Sequence, residues 1–299
     1  YDLVHINMVH YAHALPTCVA ARMRGIPLVT TPHIHTSQPE TYDVGYMRWV
    51  LSNSAVVFAD TAAEKRFLTQ HKLSHSVVIG GNGLRLERFP GIDGKSARAQ
   101  FGIPSEAFVI LFLGRKVEYK GILSCLNALV ALRQQQGDAY LLAIGPETDY
   151  SRRLWSLYGK VEGLIVRDAA SDKERLDALA ACEVLALPSV GEAFGIVFME
   201  AWAYRKPVLG AHIDAIASLV DHTSDGYLVD MQQPGQLVHY LAQLSANPEI
   251  GRAMGARGYA KLTGRYTLEK IADIVEGTYA RVIRRHNTTT RGSPPCALA

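Results

Sequence analysis

The sequence predicts an α/β protein with two doubly wound parallel sheets. Short, continuously apolar segments alternate with amphipathic segments of helical length, as expected for parallel strands that are covered by helices on both faces. These apolar segments fall into two groups, and the stretch between the groups, residues 80–96, is rich in glycine. The pattern favours two Rossmann-like domains joined by a linker.

Ten segments are predicted to be strands. The first group is 3–6, 28–31, 56–59 and 76–79, and the second is 109–113, 140–144, 164–166, 184–187, 207–210 and 226–229. The second group is a full six-strand set, whereas the first lacks the opening strand and glycine-rich turn with which a Rossmann half begins. Because residue 1 is Tyr, we expect the chain to begin inside its first domain, leaving that domain incomplete.

The domain boundaries follow from this division. Residues 1–92 are predicted to form the incomplete first domain, on the acceptor side, and residues 93–264 the second domain. A final amphipathic helix, 265–286, is expected to pack back on the first domain through Ile271, Ile274, Val275 and Thr278. Residues 287–299, which are polar and contain a proline pair, are expected to be disordered.

Composition limits the class of protein. Hydrophobic residues make up 48% and charged residues 20% of the 299, which excludes a disordered chain. A formal charge of +3 is too small to indicate a nucleic-acid partner, but it suits a phosphate-bearing ligand or an anionic membrane surface. No apolar segment approaches the roughly 20 residues of a membrane span. Cysteines without CxxC spacing predict reduced thiols, so we expect a cytoplasmic protein, with association at the inner membrane face left open.

The strongest chemical signal lies in residues 188–201. A buried strand is followed by a Pro-Ser-x-Gly turn, and a helix is predicted to begin near Phe194. The free N–H groups and the dipole of such a helix start bind anions, so phosphate oxygens are expected at the amides of Ala193, Phe194, Gly195 and Ile196. Gly195 permits the close approach of a ligand.

Two carboxylates flank this anion site. Glu192 and Glu200 are eight positions apart, about 12 Å along a helix. One could bind a sugar and the other the ribose hydroxyls, on opposite sides of a diphosphate. The alternative is structural, with Glu192 as a helix-capping residue and Glu200 as a solvated helix residue.

A second signal directly follows the strand 109–113. Gly114, Arg115 and Lys120 lie where a doubly wound sheet binds anions, and two cations there would stabilise the charge that develops on a departing phosphate. Lys116 is the spare cation and is expected to be exposed. The alternative is a solvated basic loop.

These segments resemble glycosyltransferase family 4. The resemblance rests on Pro188-Ser189, the segment 192–195, Glu200-Ala201 and the following Lys206-Pro207-Val208. It implies the GT-B fold and transfer from a nucleoside diphosphate sugar with retention of configuration. Within it, Glu192 and Glu200 match the Glu-x7-Glu motif, and Arg115 and Lys120 match the cations that neutralise the donor diphosphate.

The resemblance also implies a histidine that reaches the donor sugar. His33 matches best and His35 nearly as well, both just after the strand 28–31. Asn82-Gly83 and Gly145-Pro146 resemble two of the family's turns. One departure concerns residues 212–217, where many members have Gly-x-Pro-Glu; the choice of sugar is therefore left open.

No cofactor or metal is expected. The sequence has no Asp-x-Asp pair at a strand end and no cluster with metal-ligand spacing, so Arg115, Lys120 and the helix amides would do the work of a metal. The expected partners are a nucleotide-sugar donor and an unidentified acceptor, which could be a glycan, a lipid or a small molecule.

The sequence leaves some other functions open and disfavours others. A sugar-nucleotide 2-epimerase and a non-catalytic nucleotide-sugar-binding fragment remain open as alternatives. A nicotinamide dehydrogenase is disfavoured because no Gly-x-Gly-x-x-Gly follows a strand. A phosphate-binding P-loop at Gly94-Lys95-Ser96 fails because its first glycine would fall on Phe89.

Overall fold

The computed structural model describes residues 1–36, 40, 44–233 and 235–291. They form two compact units, of which the first comprises residues 1–83 and the segment from Leu268 onward, and the second residues 84–267. The boundary between the units at residues 83 and 84 thus lies within the glycine-rich stretch 80–96. It lies there because Leu84 is buried in the core of the second unit and Phe89 packs against that core. Among the described helices, none combines the length and apolarity needed to cross a membrane.

Each unit contains one parallel sheet, so the predicted α/β class is confirmed. The strands of the first unit are β1 (Val4–Asn7), β2 (Leu28–Thr31), β3 (Val56–Ala59) and β4 (Val77–Ile79). Those of the second are β5 (Phe108–Leu113), β6 (Ala139–Ile144), β7 (Leu164–Arg167), β8 (Val184–Leu187), β9 (Val208–Ala211) and β10 (Gly226–Val229). Each of them overlaps a strand predicted from the sequence, with ends that differ by at most one residue.

Helices connect and cover the strands. In the described residues they are α1 (Ala14–Met23), α2 (Gly45–Ser52), α3 (Ala62–Gln70), α4 (Gly94–Phe101), α5 (Ile122–Gln136), α6 (Asp149–Tyr158), α7 (Asp172–Ala181), α8 (Ile196–Ala203), α9 (Asp214–Ala217), α10 (Gly235–Ala246), α11 (Pro248–Arg265) and α12 (Leu268–Arg291). The helix predicted near Phe194 begins two residues later, because Gly195 adopts φ +88° and acts as its N-cap.

The first sheet has the order β1-β2-β3-β4, with β1 at one edge. Successive side chains point to opposite faces of a strand. Leu28 and Val57 therefore lie in a core shared with residues of α1, α2 and α3. Val29, Val56 and Phe58 lie on the other face, in a cluster with Val282 of α12.

Helix α12 continues five residues beyond its predicted end. Residues 287–291, expected to be disordered, are helical, since neither glycine nor proline interrupts the chain before Gly292 and Thr288 Oγ1 donates to Arg285 O at 2.8 Å. The rest of the predicted tail, 292–299, lies outside the described residues. Val275 and Tyr279 pack on the sheet beside Val282.

The second sheet has the order β10-β9-β8-β5-β6-β7. Three strands, β10, β9 and β8, lie on one side of β5, and β6 and β7 lie on the other, which is the strand order of a doubly wound dinucleotide-binding sheet. Behind it, α8 and α11 pack closely: Trp202 is fully buried, and a Cβ added to Gly258 would lie 2.1 Å from its indole ring. Cys18, Cys125 and Cys182 are buried free thiols.

Candidate functional site

The second sheet reverses its direction of winding between β5 and β8. These two strands pair in parallel, although β6 and β7 separate them in sequence. A crevice opens beyond the carboxyl ends of such a strand pair, and doubly wound sheets bind their ligands there. Two loops enter the crevice, residues 114–121 after β5 and residues 188–195 after β8.

The loop after β5 begins with a close approach of two backbone segments. A Cβ at Gly145 would lie 2.2 Å from Gly114 O, and Gly145 has φ +131°, so only glycine fits there. This explains the Gly145-Pro146 turn by backbone packing. The next residue after Gly114, Arg115, is exposed, and its Nη2 donates to Tyr119 Oη at 2.9 Å.

Lys116, expected to be exposed, is instead fully buried. Its Nζ donates to Arg167 O at 2.8 Å and to Gly145 O, and it forms an ion pair with Glu147 Oε1 at 2.9 Å. The lysine thus ties together the ends of three strands. Burial is tolerated because carbonyl oxygens and a carboxylate surround the ammonium, and no local sequence pattern reveals this convergence.

Lys120 and Glu192 form an ion pair across the two loops. Lys120 Nζ donates to Glu192 Oε1, and the side chains are 16% and 12% exposed. Gly121 makes the approach possible: at φ +78°, a Cβ there would lie 2.6 Å from Pro188 O. The expected diphosphate-binding cation and the first carboxylate of the motif are therefore neighbours.

The turn after β8 presents a helix start to the crevice. Gly195 caps α8 in the left-handed region, and a Cβ there would lie 2.6 Å from the Phe198 ring. The N–H of Phe198 bonds to Gly195 O at 3.0 Å, but helical geometry provides no acceptor for the N–H groups of Ile196 and Val197. These donors and the helix dipole favour an anion at this point.

A cavity of about 240 Å³ lies between the two loops. It brings together six of the predicted site residues, and its full lining is Leu113, Gly114, Arg115, Tyr119, Lys120, Leu187, Glu192, Gly195, Ile196 and Val197. Two cations face one carboxylate there, and the helix start adds further positive potential. The cavity therefore suits a phosphate group.

Three predicted donor-binding residues are not among those lining the cavity. Phe194 is buried and packs edge-on against Tyr266, with ring centroids 5.9 Å apart. Ala193 is half-buried. Glu200 lies farther along α8 and forms an ion pair with Arg175 of α7, with 2.8 Å between Oε1 and Nη1.

The charge on Glu200 depends on that arginine. Burial raises the pKa of the Glu200 carboxyl above its ordinary value, and the Arg175 guanidinium opposes the rise. Sequence reasoning missed Arg175. The pattern Ser171-x-x-Glu174 marks the start of α7, and both reciprocal capping bonds form, but it does not show which way Arg175 points.

His33 belongs to the first unit and has its contacts there. Its backbone adopts φ +56°, an uncommon conformation for a residue with a Cβ. Its Nδ1 lies 2.6 Å from Asp60 Oδ2, and Asn82 Nδ2 donates to the other oxygen of Asp60 at 3.2 Å. Sequence reasoning identified His33 and the Asn82-Gly83 turn, but not the carboxylate between them. His35 is half-buried.

A second buried carboxylate supports this group. Glu64 accepts from the N–H of Ile34 at 2.7 Å and from that of Asp60 at 2.6 Å. Burial and the Asp60 charge raise the pKa of Glu64 to about 8. Burial lowers the pKa of His33, but the hydrogen bond and charge of Asp60, with the charge of Glu64, bring it above its ordinary value. The signal in the sequence was Thr61-x-x-Glu64, a capping pattern that predicts a helix start.

Residues 212–217, which differ from the Gly-x-Pro-Glu loop of many family members, contain the short helix α9. Its Ile216 packs beside two glycines, since a Cβ at Gly195 would lie 3.1 Å from Ile216 Cδ1 and one at Gly210 would lie 2.8 Å from Ile216 Cγ2. An apolar residue therefore buttresses the helix start. Across the described ranges, no group of three or more His, Cys, Asp or Glu side chains could hold a metal ion.

Comparison with known sequences identifies relatives. Residues 93–261, more than half of the chain, match the family described as glycosyl transferases group 1. The D-inositol 3-phosphate glycosyltransferase of Streptomyces avermitilis is 25% identical over 317 residues, covering 97% of this chain and 68% of that protein. The protein of the same name from Segniliparus rotundus is 28% identical over 291 residues, covering 95% and 63%. The chain thus spans about two thirds of the length of these relatives.

Solved structures share the fold. HepE of Anabaena, crystallised with UDP and glucose, superposes with a TM-score of 0.80 at 21% identity, over 94% of this chain and 78% of that one. The sucrose-phosphate synthase of Thermosynechococcus elongatus gives a TM-score of 0.80 at 21% identity, over 95% and 74%. At this level of identity the likeness concerns the fold alone.

Proposed function

Because the chain belongs to the group 1 glycosyl transferases, we propose that it transfers a glycosyl group from a nucleoside diphosphate sugar to an acceptor, with retention of configuration. The observation that supports this most directly is the cavity between the loops after β5 and β8, where the second sheet reverses its winding (the switch point). This cavity joins Arg115, Lys120 and the start of α8. These groups suit a diphosphate, and the Anabaena relative of the same fold was crystallised with UDP.

This reaction requires a site that stabilises the leaving group. As the bond between the anomeric carbon and the phosphate oxygen breaks, negative charge develops on the diphosphate, and the acceptor oxygen forms the new bond on the same face of the sugar. The acceptor proton passes to the departing phosphate oxygen. Arg115, Lys120 and the N–H groups of Ile196 and Val197 stabilise that charge in the transition state.

The two carboxylates then divide the donor between them. Glu192, in the cavity beside Lys120, binds hydroxyls of the donor sugar, and Glu200 binds the ribose hydroxyls. As the family resemblance implies, the imidazole of His33 also binds the donor sugar. The reaction then needs no metal. We also propose a cytoplasmic location. A lipid acceptor would lie at an anionic membrane, so the proposal includes peripheral association with such a membrane.

The test is a transfer assay with donor and acceptor panels. Labelled UDP-, GDP- and ADP-sugars are incubated with the protein, with and without acceptors that include D-inositol 3-phosphate, and NMR of the product reads the anomeric configuration. A product with the donor's configuration is the expected result. Inverted product would overturn retention. Isomerised donor without acceptor would indicate the epimerase, and binding without turnover the non-catalytic alternative.

Lys120→Met is the variant that links activity to the site. It removes the charge that faces the diphosphate while keeping most of the apolar stem, so turnover should fall by at least about 100-fold. Lys160→Met is the matched control, because Lys160 is exposed and outside the cavity. Unchanged turnover in Lys120→Met would contradict the assignment of the cavity.

A further inference from the structure

We infer that Arg175 is a positioning residue for the nucleotide: its guanidinium pairs with the Glu200 carboxylate and holds it in place to accept from a ribose hydroxyl. This inference rests on the proposed function, because it assumes that Glu200 faces the ribose. It concerns a residue outside the Glu-x7-Glu motif and outside the cavity at the switch point. Four observations carry it.

The first observation is the geometry of the pair. Arg175 Nη1 lies 2.8 Å from Glu200 Oε1 in an ion pair, and among the described residues this buried nitrogen has no hydrogen-bond partner of good geometry. The side chains are 25% and 15% exposed, so the pair is largely shielded and yet open on one side. The ion pair attracts the carboxylate toward Arg175, while its oxygens keep the capacity to accept hydrogen bonds from a ligand.

The second observation is that Arg175 is itself held in place. Its guanidinium lies over the Phe89 ring, with 5.9 Å from Cζ to the ring centroid, and its Nε is 3.6 Å from Asp172 Oδ1. Helix α7, which carries it, starts with a capping box formed by Ser171 and Glu174. The arginine therefore presents a fixed charge to Glu200, and little side-chain freedom remains to be lost when a ligand binds.

The third observation is that the charge on Glu200 has one strong support. Burial and the charge of Asp172 raise the pKa of Glu200, and Arg175 is the cation that opposes them. Tyr204 also lies within reach of the Arg175 charge, and it adds no positive charge of its own. Without Arg175, Glu200 would take up a proton at a higher pH than it does in the native protein.

The fourth observation is chemical. An ionised carboxylate accepts hydrogen bonds at both oxygens, whereas a protonated one must donate from one of them. Ribose offers two vicinal hydroxyls as donors, so it is recognised best by the charged form. An arginine that keeps Glu200 charged and oriented therefore acts on the nucleotide without touching it.

The experiment measures UDP affinity by calorimetry for the native chain and three variants between pH 6 and 8.5. Arg175→Met removes the charge and keeps the apolar stem. Its UDP affinity should be about tenfold below that of the native chain at pH 6. This difference in affinity between the native chain and the variant should become smaller as the pH rises and Glu200 ionises. Because both proteins bind the same ligand, titration of the UDP phosphate cancels in the ratio.

Two further variants serve as controls. Arg175→Lys keeps the charge, so its affinity ratio to the native chain should vary little with pH. Arg175→Met/Glu200→Gln has no carboxyl to titrate, so its ratio should be independent of pH. A ratio for Arg175→Met that is constant across the range would show a merely structural role and overturn the inference.

A measurement without nucleotide separates this inference from the proposed function. Carbon NMR of labelled glutamate carboxyls gives the pKa of Glu200 directly, and it should rise in Arg175→Met. Thermal unfolding of the same variant reports whether it is folded. If the native chain binds none of UDP, GDP and ADP, the proposed donor is contradicted while the carboxyl titration still tests Arg175. An unshifted Glu200 in folded Arg175→Met would overturn the inference.

Discussion

Lys120 and Glu192 are 72 positions apart in sequence, and they form an ion pair where the loops after β5 and β8 meet. Each side chain keeps a small exposed area, so the pair faces the cavity rather than the core. A diphosphate entering the cavity would compete with Glu192 for the ammonium. The affinity of the site for phosphate thus depends on a carboxylate that the site itself supplies.

The two motif glutamates should consequently differ in their effect on nucleotide binding. Glu200→Ala should weaken UDP binding by about 1.5–3 kcal/mol, because it removes a charged acceptor of hydrogen bonds. Glu192→Ala should weaken it less, since the change releases Lys120 for the phosphates. Calorimetric titration of both variants measures the difference. UDP affinity in Glu200→Ala equal to that of the native chain would contradict the ribose assignment.

Lys116, in contrast, should matter for stability. Lys116→Met leaves Glu147 and two strand-end carbonyls without their ammonium, and removing one partner of a buried pair costs about 3–5 kcal/mol. Urea denaturation measures the loss, with Lys160→Met as the exposed control. The native pKa of Glu147 is lowered by its hydrogen bonds and Lys116, although burial alone would raise it. The ionised Glu147 therefore stabilises the protein above pH 4.5 and loses this effect as the pH falls. The difference in free energy of unfolding between the native chain and Lys116→Met should consequently become smaller at low pH.

The pKa of His33 should depend on Asp60. Since Asp60 raises it and burial lowers it, Asp60→Asn should bring the His33 pKa below the ordinary 6.5, measured by NMR titration of the imidazole. A group with a raised folded pKa stabilises fully below its unfolded pKa and loses that effect as pH rises through the folded one. The contribution of protonated His33 is therefore present below pH 6.5 and fades above it.

Asn82→Ala is the control for this titration. Asn82 donates to the same carboxylate but carries no charge, so its removal should leave the His33 pKa above 6.5. A pKa that stays raised in Asp60→Asn would show that another group, such as Glu64, is responsible.

Two glycines on α11 should respond oppositely to alanine. Gly258→Ala would put a Cβ 2.1 Å from the Trp202 ring, so it should destabilise the chain by about 1–3 kcal/mol. Gly264→Ala meets nothing within 4 Å and should stabilise by about 0.5–1 kcal/mol through helix propensity. Chemical denaturation compares the two. Equal effects would show that α8 and α11 do not pack as closely as described.

The strands were predictable because parallel strands buried on both faces read as continuous apolar segments. A cavity between the loops after β5 and β8 was predictable for a related reason, since a crevice opens at the strand ends of a doubly wound sheet. Neither rule involves distant contacts. Arg175 and Asp60 were missed because their roles arise from partners 25 and 27 positions away, and a charged residue on a helix or in a loop has no local mark of such a partner.

Lys116 shows the limit most clearly. By composition it is one cation of three in a loop, and lysine is seldom fully buried. Its burial depends on carbonyl groups at the ends of β6 and β7, which only the assembled sheet brings together. The end of α12 is a smaller case, because polar composition favoured disorder while an established helix continues through polar residues until glycine is reached.

The return of α12 to the first sheet has a consequence for the order of folding. Translation delivers β1 to β4 first, and one face of their sheet keeps Val29, Val56 and Phe58 uncovered until the entire second unit has been made. Leu84 N–H bonds to Tyr266 O at 2.8 Å, so a folded second unit holds its own two ends together. Residues 84–267 form a long loop between β4 and α12, and closing it costs chain entropy. Folding of the second unit offsets that cost, because it brings the start of α12 close to the end of the first-unit strands in sequence. The first unit should therefore complete its folding only after the second unit has folded.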